Sequence, residues 1–407
     1  MRLIYNRCAG LDVHLKTVVA CARICDGALL QQPVRTFKTT VAGLLALSDW
    51  LQSLGVTHAV LESTGIYWQP VWQVLSPNIE LTLSNAKHVK NVPGRKTDVS
   101  DAMWLAELMA HGLVRGSFVP PPAIQEARDL TRTRTQLTRE VGRHTQRIQK
   151  TLEKGNIKLS TVLTHVLGVT GRHILEALIA GETDVDRLLA LRRGKLKATP
   201  EEMREALRGN LTENHRFLLK LHLSHVEEIE RTIRSIEERL EEVLRPFRGS
   251  HDLLLTAPGV SHTVASIVIA EAGDDMTRFP TDSHIVSWVG LCPGNDESAG
   301  KKRSSRTRQG NKWLKTILVQ AAWAATRKKD SVLRAKYLRL KARRGAKKAI
   351  VAVAADLLRS IYYMLLRREP YEDRLPAPDV RQKQHTTRRL VSRLKNLGFE
   401  VQLRPAA

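Results

Sequence analysis

The sequence is poor in cysteine and lacks long apolar runs, and both absences exclude classes of protein. The four cysteines, Cys8, Cys21, Cys25 and Cys292, are too few in 407 residues for a disulfide framework. Cys21 and Cys25 also lack the second Cys or His pair that a structural zinc site needs. No stretch of 18 apolar residues occurs, and the amino terminus carries no apolar signal region. Secreted, membrane-spanning and collagenous classes are therefore excluded, and we expect a cytoplasmic protein with no membrane partner.

Acidic residues are outnumbered by basic ones, and the excess of basic residues is concentrated. The chain has 65 Lys and Arg against 41 Asp and Glu, a net charge of +24, within a globular composition of 42% hydrophobic residues. From Lys301 to Lys348, 18 bases accompany one acid, Asp330, and the segment from Arg381 to Arg404 adds seven bases against Glu400. A block of one sign repels itself unless a polyanion neutralises it. Nucleic acid is the favoured partner, and the alternative is a basic tail that only aids solubility.

The first 118 residues predict a mixed α/β domain. Short segments rich in Val, Ile, Leu and Thr alternate with segments of helical spacing. The predicted strands are 7–13, 17–24, 29–37, 58–61 and 79–83, and the predicted helices are 41–54, 66–75 and 99–113. This order predicts parallel strands that are joined through helices. The run Val119-Pro120-Pro121-Pro122 marks a hinge after this domain.

Residues 123–248 predict a helical arm. Apolar residues recur with helical spacing over 124–152, with six arginines between them, and form a heptad seam over 217–244. We expect these helices to form an antiparallel coiled coil with a small helical insertion at about 160–210. The arginine-rich face at 128–147 is expected to be solvated, although it is also compatible with RNA or DNA.

Residues 250–368 predict a third, mainly helical domain. Two helices joined by a tight turn at Pro258-Gly259-Val260 precede a polar, basic loop that extends to Gly310, and two long helices follow it. The segment 369–407 is rich in proline and then in basic residues, so we expect a loosely ordered tail.

Four acids occur at strand ends and at a helix start. Asp12 lies in the first predicted strand, Glu62 ends the fourth, and Asp98 and Asp101 share one face of a helix start. An acid in an otherwise buried strand is costly unless it is paired or binds a cation. Oxygen donors from three elements suit Mg²⁺ or Mn²⁺, and two such ions can clamp the attacking and leaving oxygens of a phosphate ester.

Each of these acids also has an alternative interpretation. Asp98 can cap its helix, and Asp101 can interact with the positive end of the helix dipole. Asp12 alone fits the phosphate-binding turn of sugar-kinase and actin-like ATPases. A kinase of that type needs a second Asp-containing phosphate turn and a Gly-Gly adenosine motif, and the sequence has neither.

Five motifs resemble those of the DEDD-type transposases of the insertion-sequence-110 family, which are bridge-RNA-guided recombinases. Three of them are Gly-Leu-Asp-Val-His at 10–14, Glu-Ser-Thr-Gly-Ile-Tyr at 62–67 and Lys-Thr-Asp-Val-Ser-Asp-Ala at 96–102. The others are Ala-Pro-Gly-Val at 257–260 and Gly-Leu-Cys-Pro at 290–293, which continues to Glu-Ser-Ala-Gly at 297–300. The motifs occur in the family's order over about 1–365.

The resemblance implies an RNase H-like (RuvC-like) domain, a coiled-coil arm and a carboxy-terminal transposase domain with a helix–hairpin–helix-like turn. The metal ligands that it implies are Asp12, Glu62, Asp98 and Asp101. It also implies a nucleophilic serine, which is Ser298 in this sequence. The next residues are Ala-Gly, where family members often show Ser-Gly or Gly-Gly, and this departure leaves Ser304 and Ser305 as rivals.

The resemblance further implies the partners. It implies DNA, as element ends and target, and a guide RNA that selects sites by base pairing. It implies a homo-oligomer in which dimers assemble to a tetramer, with the acids and the serine in one composite site. Attack of the serine on phosphorus would leave a transient phosphoserine link to DNA.

Basic residues around Ser298 suit this chemistry, because cations behind a nucleophile can hold a phosphodiester and offset its developing charge. Gly310 and Asn311 open the next helix, where backbone N–H groups can bind phosphate, although Asn311 can equally be only a cap. The predicted nucleic-acid contacts are Lys301, Lys302, Arg303, Arg306, Arg308, Gly310, Asn311 and Lys312.

Two further functions stay open for the whole chain. One is a RuvC-like junction nuclease that hydrolyses DNA with water and forms no covalent intermediate. The other is a non-catalytic nucleic-acid binder, for which loss of the acids would change nothing in DNA joining.

Overall fold

The structure is a computed structural model that describes residues 3–27, 29–62, 65–85, 89, 101–114, 116–294, 296–298, 301–304, 306–373 and 380–403. The chain divides into two compact units, Met1–Pro120 and Pro121–Ala407. The boundary falls in the run of prolines, whose missing N–H groups and fixed φ angles favour a break between elements.

The amino-terminal unit is a mixed sheet covered by helices. Its strands are β1 (Arg7–Val13), β2 (Thr17–Asp26), β3 (Leu29–Gln31), β4 (Val34–Lys38), β5 (His58–Glu62) and β6 (Glu80–Ser84). The helices are α1 (Val41–Ser53), α2 (Trp68–Leu75) and α3 (Asp101–Ala110). The strand order is β3-β2-β1-β5-β6, and β4 also pairs with β2; β1 is parallel to β5 and antiparallel to β2. The mixed α/β class is confirmed, and this sheet fits an RNase H-like domain.

Both faces of the central strand β1 are buried. Side chains alternate along a strand, so Leu11 and Val13 pack in the core formed with α1 and α2. On the opposite face, Cys8 packs with Val60 of β5 and with Leu105 of α3. The sheet therefore lies between α1 and α2 on one side and α3 on the other.

Gly10 sets the distance between β1 and α3. A Cβ atom at this position would lie 2.1 Å from Ala102 O and 2.4 Å from Ala106 N. The Cys8 thiol, two residues earlier, donates to Ala106 O at 3.4 Å. Burial raises the pKa of Cys8 to about 11, so the thiol stays protonated at neutral pH. The helix backbone thus contacts the strand backbone directly.

The single strand predicted at 29–37 is two strands in the structure. Both β3 and β4 pair with β2, and the chain between them contains Pro33. Proline has no N–H for a sheet ladder, which explains why the pairing is interrupted there. The Pro33 carbonyl still accepts a hydrogen bond from Ala22 N at 3.1 Å.

The carboxy-terminal unit begins with two long antiparallel helices, α4 (Pro122–Lys154) and α9 (Glu213–Leu244). Four short helices lie between them in the chain: α5 (Leu159–Val162), α6 (Val169–Ala180), α7 (Val185–Ala190) and α8 (Pro200–Ala206). Arg134 contacts Glu237 at 2.6 Å towards one end of the pair. At the other end, the buried side chains are Ile148, Leu152, Leu219 and Leu223.

A second helical core follows α9. Its elements are a 3₁₀ turn (Arg245–Phe247), α10 (Arg248–Leu255), α11 (His262–Ala272), a 3₁₀ turn (Met276–Arg278), α12 (Asp282–Val289), β7 (Asp296–Ser298), β8 (Lys301–Ser304), α13 (Lys312–Ala325), α14 (Val332–Arg344) and α15 (Ala346–Arg367). Three helices lie between Gly310 and Arg368 where two were predicted, because the chain turns at Gly345, with φ of +82°. By length and composition α15 could cross a membrane, but 61% of its apolar window is buried, as in the core helix of a soluble protein.

The carboxy-terminal segment, for which a loosely ordered tail is predicted, contains one helix among its described residues. Helix α16 (Val380–Asn396) occupies its middle. Leu390 and Leu394 lie one helical turn apart between basic residues, and this spacing is helical although the segment is dominated by charge.

We expect Gly10→Ala to lower the free energy of unfolding by about 1–3 kcal/mol, because the added methyl group must push α3 away from β1. Chemical denaturation measures the change. Gly116→Ala is the control, since its Cβ would lie at an ordinary 3.6 Å from Thr82 Cγ2. Equal stability of the two variants would show that α3 does not depend on this contact.

Candidate active site

Two of the predicted acids lie side by side at the carboxyl ends of β1 and β5. Leu11 pairs with Leu61 in parallel register, so the residues that follow them, Asp12 and Glu62, are at the same level of the sheet. Side chains at matched positions of parallel strands point to the same face. The Asp12 side chain is 27% exposed and Glu62 is half-buried, so solvent ions can reach both.

Both of these acids lie on the face that α3 covers. Residues two apart in a strand share a face, so Asp12 shares that of Gly10, and Glu62 shares that of Val60. Gly10 contacts the α3 backbone, and Val60 packs in the α3 core. The strand register and the contact with α3 both place the two carboxylates on the α3 face of the sheet.

Helix α3 supplies a third acid. It begins at Asp101, which is exposed, and the carbonyl of the next residue, Ala102, is the backbone atom nearest Gly10. The first turn of α3 therefore lies against β1 two residues before Asp12. Asp98, the fourth predicted acid, lies outside the described residues.

His14 adds a contact for which the sequence predicted no role. Its Nε2 lies 3.1 Å from Asp12 Oδ2, and its side chain is 59% exposed. This contact holds the Asp12 carboxylate at the end of β1. The described acids on this face, Asp12, Glu62 and Asp101, offer carboxylate oxygens, which are the ligands that Mg²⁺ and Mn²⁺ prefer. The residues present fit such an ion.

The loop that was predicted to carry Ser298 is a β-hairpin. Strands β7 and β8 are antiparallel, with Ser298 paired to Lys301 and Glu297 paired to Lys302. The prediction of a loop failed because the segment has no alternation of apolar residues that would indicate strands. Ser298 ends its strand at the turn of the hairpin, and the side chains of Ser298 and of 301–303 lie outside the described residues.

The rival serines differ in position. Ser304 pairs with Asp296 at the other end of the hairpin, and its Oγ accepts a hydrogen bond from Arg306 N at 3.2 Å. Ser305 lies outside the described residues. Ser304 is therefore engaged in local structure at the base of the hairpin.

The base of the hairpin is closed by backbone contacts. Arg308 N donates to Cys292 O at 3.1 Å, which continues the pairing beyond the strands. One step further, a Cβ at Gly310 would lie 2.5 Å from Gly290 N. The two glycines let the entering and leaving segments touch, so the hairpin projects from a fixed base.

Asn311 is the amino-terminal cap of α13. Its Oδ1 accepts hydrogen bonds from Trp313 N at 3.0 Å and from Leu314 N at 3.1 Å, and its Nδ2 donates to Glu271 Oε2 at 2.6 Å. The cap alternative is therefore the one seen in the structure. The Asn311 side chain starts the helix, and its predicted contact with nucleic acid stays a prediction.

Glu271 is the buried charge that the sequence analysis missed. It is fully buried in α11, and its Oε1 accepts from Arg132 Nε at 2.8 Å. Arg128 lies 3.5 Å from the same carboxylate and donates to the Glu271 carbonyl at 2.8 Å. The expectation of a solvated arginine face is wrong for these two arginines. The sequence did contain a signal for this buried ion pair, because Glu271 is an acid within the apolar run 264–272.

Other predicted nucleic-acid contacts lie at the surface. Arg306, Arg308, Gly310 and Lys312 are exposed. The Lys312 Nζ and the Arg139 guanidinium lie 5.4 Å and 5.3 Å from the Trp313 ring centroid. A half-buried aromatic ring among cations is a surface on which phosphates and bases can bind.

Comparison with known proteins identifies the family. A transposase model of the DEDD type of IS110 matches residues 9–157, and a model described as "Transposase IS116/IS110/IS902 family" matches residues 251–338. The first match contains the four predicted acids and the second contains Ser298. Both models describe transposases, and together they cover more than half of the sequence. The chain belongs to the IS110 family of transposases.

A curated relative agrees with the family. The "Insertion element IS110 uncharacterized 43.6 kDa protein" of Streptomyces coelicolor is 30% identical over 146 residues, which are 35% of this chain. The match spans 35% of the relative's own length, so the likeness concerns about a third of each protein.

We expect Glu271→Gln to lower the free energy of unfolding by about 3 kcal/mol, because Arg128 and Arg132 would lose their buried counter-charge. Chemical denaturation followed by circular dichroism measures this. The matched control is Glu237→Gln, which removes the more exposed ion pair with Arg134 and is expected to cost less than about 1 kcal/mol. A similar cost for both variants would mean that the buried pair is not a stabilising centre.

Proposed function

We propose that this protein is a DNA transposase that excises and inserts an insertion sequence by metal-assisted attack of Ser298 on a DNA phosphodiester. The observation that carries the proposal is the placement of Asp12 beside Glu62 at matched ends of β1 and β5, on the face of the sheet where the first turn of α3, which begins at Asp101, contacts β1. Acids from separate elements repel one another when they converge, unless a cation offsets their charge. Membership of the IS110 family supports the same function.

The carboxylates would bind a divalent ion, and the packing of β1, β5 and α3 positions the carboxylates. The proposed ligands are Asp12, Glu62, Asp98 and Asp101. When bound, Mg²⁺ or Mn²⁺ offsets the negative charge that develops on the phosphate oxygens. Gly10 keeps the start of α3 beside β1, and His14 orients the Asp12 carboxylate before DNA arrives.

Ser298 acts as the nucleophile. Its Oγ forms a bond to phosphorus while the bond from phosphorus to the leaving deoxyribose oxygen breaks. The serine hydroxyl gives up one proton and the leaving oxygen takes up one, so the reaction is balanced. Attack by another deoxyribose hydroxyl then rejoins the strands, because one phosphate ester replaces another. The basic residues that follow Ser298, at 301–303, offset the negative charge on the phosphodiester.

The partners follow from the charge distribution and from the family. DNA, as element ends and target, contacts the exposed basic side chains of Arg306, Arg308 and Lys312. A guide RNA selects the DNA sites. The protein recognises this RNA by its shape and its backbone. The pair α4–α9 serves as a coiled-coil arm in a dimer that assembles to a tetramer. The turn between α10 and α11 serves as the helix–hairpin–helix-like element, with Gly259 (φ +80°) against α13.

The serine is tested by incubating full-length protein with flanking DNA, its RNA and Mg²⁺, and searching for a nucleotide-linked peptide by mass spectrometry. We expect the adduct on Ser298, and we expect Ser298→Ala to lose both adduct and strand joining. Ser304→Ala is the control and should keep both. Cleavage that persists in Ser298→Ala would instead identify a nuclease that uses water.

The acids are tested by Asp12→Asn and Glu62→Gln. Each variant should bind DNA as the natural protein does but cleave it roughly a hundredfold more slowly or worse, because the charge on the phosphate is no longer offset. Asp26→Asn, which removes an exposed carboxylate paired with Arg7 in the same unit, is the control and should cleave normally. Unchanged joining in the first two variants would favour a non-catalytic nucleic-acid binder.

A further inference from the structure

Three histidines meet between the two long helices of the carboxy-terminal unit. His144 lies on α4, and His222 and His225 lie three residues apart on α9. One ring nitrogen of each lies within 4.8 Å of the corresponding nitrogens of the other two. The His144 ring centroid is 5.3 Å from that of His222 and 5.1 Å from that of His225. Two separate helices therefore direct three imidazoles to one point.

The spacing of the ring nitrogens matches a tetrahedral metal site. His144 Nδ1 lies 3.3 Å from His222 Nδ1. Two nitrogens that bind one tetrahedral Zn²⁺ at about 2.0–2.1 Å are about 3.3–3.4 Å apart. These two rings already have the separation of two ligands. His225 is exposed, so its ring can turn towards the same point without repacking of the core.

The surroundings of His144 and His222 favour the neutral form of these two rings. Burial lowers the pKa of His144 and of His222, and the positive charge of Arg147 acts in the same direction on both. Neutral imidazole is the form that ligates a metal ion. Glu140, one turn before His144 on α4, acts in the opposite direction on the His144 pKa, and its negative charge offsets the positive charge of Arg147 near a bound dication.

The position of the cluster gives a bound ion a structural role. Most buried apolar side chains of this helix pair fall into two groups, which are Ile124, Ala127, Leu240 and Leu244 at one end and Ile148, Leu152, Leu219 and Leu223 at the other, and Val226 is buried outside both groups, next to His225. The histidines lie between the groups, next to the second one. An ion that joined α4 to α9 there would fix the register of the two helices.

We propose that His144, His222 and His225 bind a transition-metal dication that cross-links α4 to α9. The favoured ion is Zn²⁺. Three imidazoles supply the ligands, and the fourth position is open to solvent. Imidazole nitrogens favour Zn²⁺, Co²⁺, Ni²⁺ or Cu²⁺, whereas the carboxylates of the amino-terminal unit favour Mg²⁺ or Mn²⁺. The two sites therefore differ in ligand chemistry, and the histidine site does not depend on the proposed DNA chemistry.

The test uses full-length protein stripped with a chelator and kept in excess Mg²⁺, so that carboxylate sites are filled. Co²⁺ is titrated while its visible absorption is recorded, and Zn²⁺ is then added as competitor. We expect one equivalent of Co²⁺ with the absorption of a tetrahedral nitrogen-ligated ion, displaced by Zn²⁺. His222→Gln and His225→Gln should each lose that equivalent, and His165→Gln, at an exposed histidine between α5 and α6, should keep it.

Thermal unfolding gives a second readout. Zn²⁺ should raise the Tm of the natural protein and of His165→Gln, but not that of His225→Gln. Because His225 is exposed, this variant is expected to fold as the natural protein does, which circular dichroism checks. Absence of tetrahedral Co²⁺ binding in the natural protein, or equal binding by His225→Gln, would overturn the proposal.

Discussion

The direct contact between Gly10 and the first turns of α3 is the constraint on which the acidic site depends. With no side chain at Gly10, the helix backbone lies on the strand, and Asp101 comes with it because α3 begins there. The parallel register of β1 and β5 independently puts Asp12 beside Glu62. The carboxylates therefore take their positions from backbone packing. Their combined negative charge favours the binding of a divalent ion.

In the carboxy-terminal unit, a buried charge has the corresponding role. The Glu271 carboxylate joins α4, through Arg128 and Arg132, to the Asn311 cap that starts α13. The hairpin that carries Ser298 ends seven residues before this cap. The same few contacts that stabilise the core thus fix one end of the segment on which the proposed nucleophile lies. A single neutralised charge orders three elements because leaving any partner unpaired in the core is costly.

The sequence predicts those features that local patterns determine. The strands and helices of the first unit and the two long helices follow from periods of two and 3.6, and so do the positions of Asp12 and Glu62 in their strands. Features set by distant contacts were not predictable in this way. Glu271 finds Arg132 139 residues away, and the hairpin at Ser298 pairs through backbone groups of polar residues. Pro33 divides a strand only because its missing N–H falls within the ladder.

If carboxylates of β1, β5 and α3 form one divalent-ion centre, Fe²⁺ bound there will direct cleavage of the full-length protein to all three elements. Fe²⁺ takes the place of Mg²⁺ at carboxylate sites and, with ascorbate and peroxide, generates radicals that cut the adjacent backbone. A single centre predicts cuts near Asp12, Glu62 and Asp101 together, suppressed by excess Mg²⁺ and absent from Asp12→Asn. Cuts confined to one of these segments, or cuts that Mg²⁺ does not suppress, would contradict it.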